Sequence, residues 1–171
     1  MKSAKSRKAN PASSGIPAVH SGDYALYGTI DQMLWHKPKT QAQGISLFLE
    51  VMHAPEDRNL SDWFVDGGLN WKGIIPGRSH DEAGIAVTYA GIGAAARHFG
   101  RDVVFYSGIG TPYAQGEPII EATYRLDLTR WVKLQPDLQY VIKSGAGIPT
   151  PQAPTPLKNV LVVGMRVTIN F

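Results

Sequence analysis

The fold is decided by the last stretch of the chain, Val160-Leu161-Val162-Val163-Gly164-Met165-Arg166-Val167-Thr168-Ile169-Asn170-Phe171. Its odd positions from Leu161 to Phe171 are all apolar, whereas its even positions include Gly164, Arg166, Thr168 and Asn170. A period of two predicts a β-strand with one apolar and one polar face. A final strand that ends on an aromatic residue is typical of a transmembrane β-barrel, where the terminal ring lies in the interfacial girdle.

The same alternation recurs in the preceding residues and predicts an all-β fold. It indicates about seven strands of roughly 10 to 15 residues, where five or six is usual in soluble sheets. They are predicted over 23–37, 44–53, 61–75, 82–92, 120–128, 132–143 and 160–171, as an antiparallel up-and-down meander. A short helix is predicted over 94–99, because alanine favours helix there. Pro136 falls on the apolar side of its strand, so we expect a bulge or a gap in the ladder beside it.

The connections between these strands alternate in length. Those over 37–43, 76–81 and 129–131 are short, those over 93–114 and 144–157 are long, and 54–61 is intermediate. Outer-membrane barrels have short periplasmic turns and longer loops outside. About ten residues at roughly 3.3 Å each, tilted near 45°, cross the apolar band of about 25 Å. The pattern therefore places the short connections at the periplasmic end of a barrel wall.

The polar faces of these strands are predicted to line a water-filled lumen, because a charge on the lipid face costs about 2–4 kcal/mol at mid-bilayer. The candidate lumen-wall residues are Glu50, Asp66, Lys72, Glu121, Arg125, Asp127, Lys133, Asp137, Gln139 and Arg166. Wall charges that are merely solvated or paired across strands are the alternative. Trp71, Trp131 and Phe171 are predicted to form an interfacial girdle, and the pattern leaves the face of Trp35 and of Trp131 open.

Composition alone favours a different class of protein from the one that the strand pattern predicts. The 171 residues carry a formal net charge of +3 and no cysteine, which excludes disulfide scaffolds, cysteine-ligated zinc and thiol catalysis. No apolar run approaches the about 18 residues of a transmembrane helix, and no secretory signal is predicted. These facts by themselves favour a soluble cytoplasmic protein, but the strand pattern outweighs them. Residues 1–22, with Lys2, Lys5, Arg7 and Lys8, are predicted as tail and loop, with no nucleic-acid partner.

Several runs resemble the C-terminal half of the carbohydrate-selective outer-membrane porins, the OprB family. They are Asp66-Gly67-Gly68-Leu69-Asn70-Trp71-Lys72-Gly73-Ile74-Ile75-Pro76-Gly77-Arg78, Asp81-Glu82-Ala83-Gly84-Ile85-Ala86-Val87-Thr88-Tyr89, Leu134-Gln135-Pro136-Asp137-Leu138-Gln139-Tyr140-Val141-Ile142, Gly164-Met165-Arg166-Val167 and Phe171. The resemblance covers roughly residues 22–171. It implies a 16-stranded barrel in the Gram-negative outer membrane that lets glucose and related sugars diffuse through, with the lumen-wall residues above as candidate sugar contacts. Residues 23–171 would then be the C-terminal portion of that barrel.

The chain departs from the family in length. Members are more than twice as long and begin with a signal peptide, and a barrel cannot close on about seven strands without leaving unpaired edges in lipid. We therefore expect the C-terminal piece of a porin, from a truncated or split reading frame. Its expected partners are carbohydrate solutes, outer-membrane lipid and, through the terminal strand and Phe171, the barrel-assembly machinery. A homotrimer and a monomer are both open.

The sequence indicates no catalysis and no metal or cofactor site beside the passage of solutes. The histidines, His20, His36, His53, His80 and His98, have no ligand spacing, so we expect no metal and no cofactor. No Ser/His/Asp order or nucleophile elbow is present, so the chain is not predicted to be an enzyme. Two alternatives stay open here: a soluble β-barrel that binds a small apolar ligand inside, and a non-functional truncated porin fragment.

Overall fold

The computed structural model describes residues 19–40, 42–108, 114–147 and 157–171. Seven strands form one sheet in chain order, and each neighbouring pair is antiparallel. The strands are β1 (Leu26–His36), β2 (Gly44–His53), β3 (Ser61–Lys72), β4 (Glu82–Ile92), β5 (Gly116–Asp127), β6 (Val132–Val141) and β7 (Val160–Ile169). The predicted up-and-down meander is confirmed. Most of the predicted tail, up to residue 18, lies outside the described residues.

The strand bounds follow the alternation in part. β1 begins at Leu26 where residue 23 was predicted, β5 begins at Gly116 where residue 120 was predicted, and β1, β3, β5, β6 and β7 end one to three residues before the predicted position. β2 and β4 span the predicted residues. β3 was expected to reach residue 75 but ends at Lys72, because Gly73 has a φ of 71° and directs the backbone away from the ladder. Ile74 and Ile75 lie in the following turn, where the Ile75 carbonyl accepts a hydrogen bond of 3.0 Å from the Arg78 N–H.

Pro136 produces the expected gap. On one side β6 pairs without interruption with β7, and Pro136 lies opposite Met165. On the other side, the pairing with β5 passes from Thr123 and Asp137 directly to Leu126 and Leu134 without a change of register. Pro136 has no N–H to donate, and its carbonyl instead accepts a hydrogen bond of 3.0 Å from the Thr123 hydroxyl.

The connections lie at two ends of the sheet. We call the end with 37–43, 73–81 and 128–131 the short-turn end, and the end with 54–60, 93–115 and 142–159 the long-loop end. The helix α1 (Ala94–Ser107) lies in the connection 93–115 and is longer than the predicted 94–99, since it continues through the buried Gly100. It ends at Gly108, whose φ is 66°. No helix within the described ranges is long and apolar enough to cross a membrane.

The small buried core lies at the long-loop end. Ile92 at the end of β4, Ala96 on α1 and Ala146 in a short 3-10 turn (Ser144–Gly147) pack together, with Ala114 against them. The Ala114 N–H donates a hydrogen bond of 2.8 Å to the Ala146 carbonyl. The connections that follow β4 and β6 are therefore joined to each other across the end of β5.

A buried carboxylate joins two turns at the short-turn end. Asp81 precedes β4, and its side chain is only 2% exposed. It is paired with Arg78, accepts a hydrogen bond of 2.9 Å from the Tyr124 hydroxyl and accepts one of 3.0 Å from the Asp127 N–H. The β3–β4 turn is thus attached to the end of β5.

These hydrogen bonds favour the charged form of Asp81. The one from Arg78 contributes most, followed by those from the Asp127 backbone and Tyr124, and together they hold the pKa of Asp81 below its ordinary value despite burial. A carboxyl group whose pKa is lower in the folded state stabilises the fold above its unfolded pKa of about 3.9. That stabilisation is lost as the pH falls through the lower, folded value.

The substitution Asp81→Asn tests this contact. We expect the free energy of unfolding in detergent micelles at pH 7 to fall by about 2 kcal/mol, because hydrogen bonds to a charged group are lost. The loss of stability between pH 5 and pH 3 should also be smaller than in the wild type. Chemical unfolding followed by circular dichroism measures both quantities. Asp31→Asn, on the exposed strand β1, is the control, and equal pH dependence of wild type and Asp81→Asn would contradict the assignment.

Candidate functional site

The two faces of the sheet differ in chemistry and in exposure. One row of cross-strand neighbours consists of Ile30, Leu49, Gly67, Val87, Ile120, Tyr140 and Leu161, one residue from each strand. The row beside it on the other face consists of Asp31, Phe48, Gly68, Ala86, Glu121, Gln139 and Val162. We call the first the apolar face and the second the polar face.

The apolar face is the more exposed one. Along β4, Ile85 and Val87 on the apolar face are 55% and 51% exposed, whereas Gly84, Ala86 and Thr88 on the polar face are half-buried. β7 repeats the pattern on the apolar side, where Val163 is 74% exposed. Among the described residues, the buried apolar side chains are Ile92, Ala95, Ala96 and Ala146, all near the long-loop end. The exposures are the reverse of those in a water-soluble domain.

This distribution excludes the soluble barrel with an apolar ligand inside. That alternative requires Ile85, Val87 and their row neighbours to be sealed in a dry interior. They are instead the surface of the sheet. An exposed apolar surface that continues across seven strands matches the lipid-facing side of a membrane barrel.

The candidate lumen-wall residues all lie on the polar face. Five of them, Lys72, Arg125, Asp127, Lys133 and Arg166, lie with Glu82 near the short-turn end, and we call this group the charged band. Arg125 lies 2.9 Å from Glu82 and 3.4 Å from Asp127, and Lys133 lies 3.8 Å from Asp127. Lys72 and Arg166 occupy the same level, opposite Glu82 and Gln135. The ion pairs of Arg125 and Lys133 are partly exposed, so we expect each to contribute little to stability.

Carboxylates and amides occupy the polar face further along the strands. Glu50 lies directly opposite Asp66, which accepts a hydrogen bond of 2.6 Å from the Thr88 hydroxyl. Glu121 accepts one of 3.0 Å from the Gln139 amide. Asp137 lies opposite Gly164, where a side chain would collide with its carboxylate. Glycine at 164 thus leaves room for this acid.

The charges on the polar face are therefore separated along the strands. The cations of the described strands, Lys72, Arg125, Lys133 and Arg166, are confined to the charged band. Beyond it towards the long-loop end the carboxylates on this face are Asp31, Glu50, Asp66, Glu117, Glu121 and Asp137, and no lysine or arginine of the described strands accompanies them. No described residue forms an ion pair with this acidic set. The set presents unneutralised negative charge over much of the polar face.

The predicted aromatic residues lie together at the short-turn end. Ile45 lies between Trp35 and Trp71 in one cross-strand row. Trp35 reaches that row because β1 has an irregularity between Met33 and Trp35, which makes Leu34 an extra residue. Trp131 lies in the β5–β6 turn, with the Arg130 guanidinium 4.3 Å above its ring. Its carbonyl accepts a hydrogen bond of 2.8 Å from the Asn170 N–H, which places Phe171 beside it.

A second aromatic group at the long-loop end was missed from the sequence. Trp63 is 46% exposed and stacks on His53 with ring centroids 4.4 Å apart, and Tyr89, opposite Val65, lies on the apolar face between Trp63 and the middle row. Trp63 and Trp71 are eight residues apart on β3, about 26 Å along the strand and roughly 20 Å along an axis tilted by about 40°. That separation is close to the apolar thickness of an outer membrane, about 25 Å. The even spacing of Trp63 and Trp71 was the signal available in the sequence.

The long connections lie towards the polar side of the sheet. Glu117 is on the polar face of β5, and its carboxylate accepts a hydrogen bond from the Gly145 N–H in the β6–β7 connection. Ile92, which anchors the buried core, belongs to the polar face of β4 as well. The 3-10 turn and the start of α1 are therefore held over the edge of the polar face.

Comparison with known proteins agrees with this arrangement. A family model described as "Carbohydrate-selective porin, OprB family" matches residues 2–171. The high-pH structure of Pseudomonas putida OprB matches with a TM-score of 0.76 and 24% sequence identity, over 89% of this chain and 36% of that chain. The chain thus spans about a third of the length of that protein, and the likeness supports the porin-barrel fold. No curated protein sequence matches the chain.

The match to the family covers almost the whole chain and agrees with the exposed apolar face, the charged polar face and the aromatic groups at both ends. The family consists of porins, which are channels, so the prediction that the chain is not an enzyme is confirmed. The chain belongs to the carbohydrate-selective porins of the OprB family.

Proposed function

We propose that the chain supplies seven adjacent strands to the wall of an outer-membrane porin through which sugars diffuse. The observation that carries this proposal is the reversed exposure of the two faces, with the apolar face outermost. In this arrangement, lipid covers Ile85, Val87 and Val163, and the polar face borders water. Residues 23–171 act as one portion of the barrel, with the short-turn end in the periplasm.

The edges of the sheet require further strands. Within the described residues, β1 pairs only with β2, and β7 pairs only with β6. Both edge strands run in the same direction, so antiparallel closure needs an odd number of additional strands between them. An open edge in hydrocarbon leaves backbone groups unpaired, at several kcal/mol each. We propose that the barrel-assembly machinery engages β7 and Phe171 while these strands are joined, to form a monomeric or a trimeric porin.

Passage of sugars needs hydrogen-bonding groups that bind weakly and exchange quickly. Gln139, Arg125 and Asp127 are occupied by Glu121, Glu82 and Lys133 on neighbouring strands, so they chiefly shape the wall. Glu50, Lys72, Asp137 and Arg166 have no ion pair within the described part of the chain and extend from the polar face. We propose these four as the wall groups that meet the hydroxyls of a passing sugar.

The separated charges favour neutral solutes over anions. A sugar carries no charge and exchanges hydrogen bonds with either acids or cations. An anion of the same size meets the acidic set, whose members have no cationic partner among the residues that the structure describes. Repulsion between like charges in a narrow, low-dielectric channel slows the entry of that anion.

The orientation of the faces is tested with two adjacent valines on β7. Val163→Arg, on the apolar face, should make the folding of the assembled porin into lipid vesicles less favourable by about 2–4 kcal/mol, because the charge enters hydrocarbon. Val162→Arg, on the polar face, should change the free energy of folding much less, because its charge enters water. Urea unfolding of the vesicle-bound protein, followed by tryptophan fluorescence, measures the difference. Equal losses for the two variants would contradict the assignment of the faces.

Liposome swelling with the assembled porin that contains these strands tests the transport proposal. Glucose should enter several-fold faster than gluconate, which has nearly the same size and a negative charge. The double variant Asp31→Asn, Asp66→Asn should raise the gluconate rate and leave the glucose rate nearly unchanged, because neither residue is among the four proposed sugar contacts. Glu56→Gln, at an exposed residue of the β2–β3 connection, is the control. Equal entry rates of glucose and gluconate through the wild-type porin would contradict the proposal that it favours uncharged sugars.

A further inference from the structure

A depression lies near the middle of the polar face. Its volume is about 150 Å³, and it is lined by Phe48, Asn70, Ala86, Glu121 and Thr123, with Gly84 at its floor. In the cross-strand register it spans two neighbouring rows, from β2 to β5. The volume equals that of about five water molecules. A depression of this size is open to the lumen side and can contact one face of a sugar ring without enclosing the molecule.

The depression exists because small residues form its floor. A Cβ atom on Gly84 would lie 3.0 Å from the Asn70 side-chain oxygen and 3.1 Å from the Thr123 methyl group. A Cβ atom on Gly68 would lie 2.9 Å from the Phe48 ring. The Phe48 ring therefore lies across β3 towards β4, and Asn70 and Thr123 flank the open floor at Gly84.

The polar groups of the depression retain unused hydrogen-bonding capacity. The Asn70 side chain has no hydrogen-bond partner among the described residues. The Glu121 carboxylate accepts one hydrogen bond through Oε2, from Gln139, which leaves Oε1 available. An amide supplies two donors and an acceptor, and a carboxylate supplies acceptors only. Together they match vicinal hydroxyl groups, each of which both donates and accepts.

Phe48 is the one aromatic residue of its row on the polar face, which also contains Gly68, Ala86 and Val162. The other residues of its row on the polar face include Asp31, Glu121 and Gln139, and the neighbouring row contains Asn70. An aromatic ring offers no hydrogen bond to water, but its face binds C–H groups. Glucose in its ring form has such an apolar C–H face, with hydroxyls around the rim.

We propose that this depression is a subsite for one pyranose ring, with the C–H face of the sugar on Phe48 and its hydroxyls on Asn70 and Glu121. The inference rests on the proposed function and identifies the place on the wall where a sugar binds transiently. Its affinity is weak, since a conducting site must release its solute. Glu121 and the nearby Asp66 disfavour anionic sugars at the same place.

The experiment measures the block of ion current through the assembled porin in planar bilayers by added glucose or mannitol. Mannitol has similar hydroxyls but no ring, so it cannot present a flat C–H face. For the wild type, glucose should half-block the current at a lower concentration than mannitol. Phe48→Leu should raise the half-blocking concentration of glucose about three- to tenfold and abolish the difference between the two solutes. Phe48→Trp should restore the stronger block by glucose than by mannitol.

Phe64→Leu is the matched control, because Phe64 lies on the same face about 13 Å further along the strands, opposite Met52. It should leave the block by glucose unchanged. If Phe48→Leu and the control behave alike while liposomes still prefer glucose to gluconate, the subsite is wrong and the transport proposal stands. If the wild type shows no preference for glucose in liposomes, the transport proposal fails and the subsite fails with it.

Discussion

The pairing of backbone hydrogen bonds is the constraint on which this structure depends. In hydrocarbon no water is present to satisfy an N–H or a C=O group, so each strand must bond to neighbours on both sides. The five inner strands, β2 to β6, meet this requirement through ladders that continue with few interruptions. The interruption at Pro136 is confined to one side and is compensated by the Thr123 hydroxyl. With the backbone satisfied in this way, the side chains are free to divide into a lipid-facing and a water-facing set.

That division explains the features of the two faces. The polar face holds ion pairs, hydrogen bonds between side chains and glycine positions such as Gly84 and Gly164, where space is needed beside a polar group. The apolar face holds branched aliphatic residues in its middle and tryptophan or tyrosine towards both ends. Among the described residues, a cluster of buried apolar side chains is found at the long-loop end, where α1 and the 3-10 turn bury a few small side chains.

Alternation in the sequence was sufficient to predict the meander and the placement of the candidate wall residues on one face, because a period of two determines the side of a strand directly. Their contact with a solute stays a prediction. Features that depend on contacts between distant residues were not predictable in this way. The extra residue Leu34 changes the face of Trp35 through the register with β2, and Asp81 meets Tyr124 only after β4 and β5 have paired. α1 continues past Gly100 because packing at the long-loop end offsets the low helix propensity of glycine. The role of Phe48 likewise depends on the glycine that lies under its ring.

The contact between the connections after β4 and β6 has a consequence for recognition at the rim of the sheet. Ala114 and Ala146 are far apart in the chain, yet a direct backbone hydrogen bond joins them, and Glu117 binds Gly145 beside them. An antibody directed at this rim would read a discontinuous epitope assembled from both connections. Its binding would report that the hairpins had docked correctly, and denatured protein on a blot would escape detection.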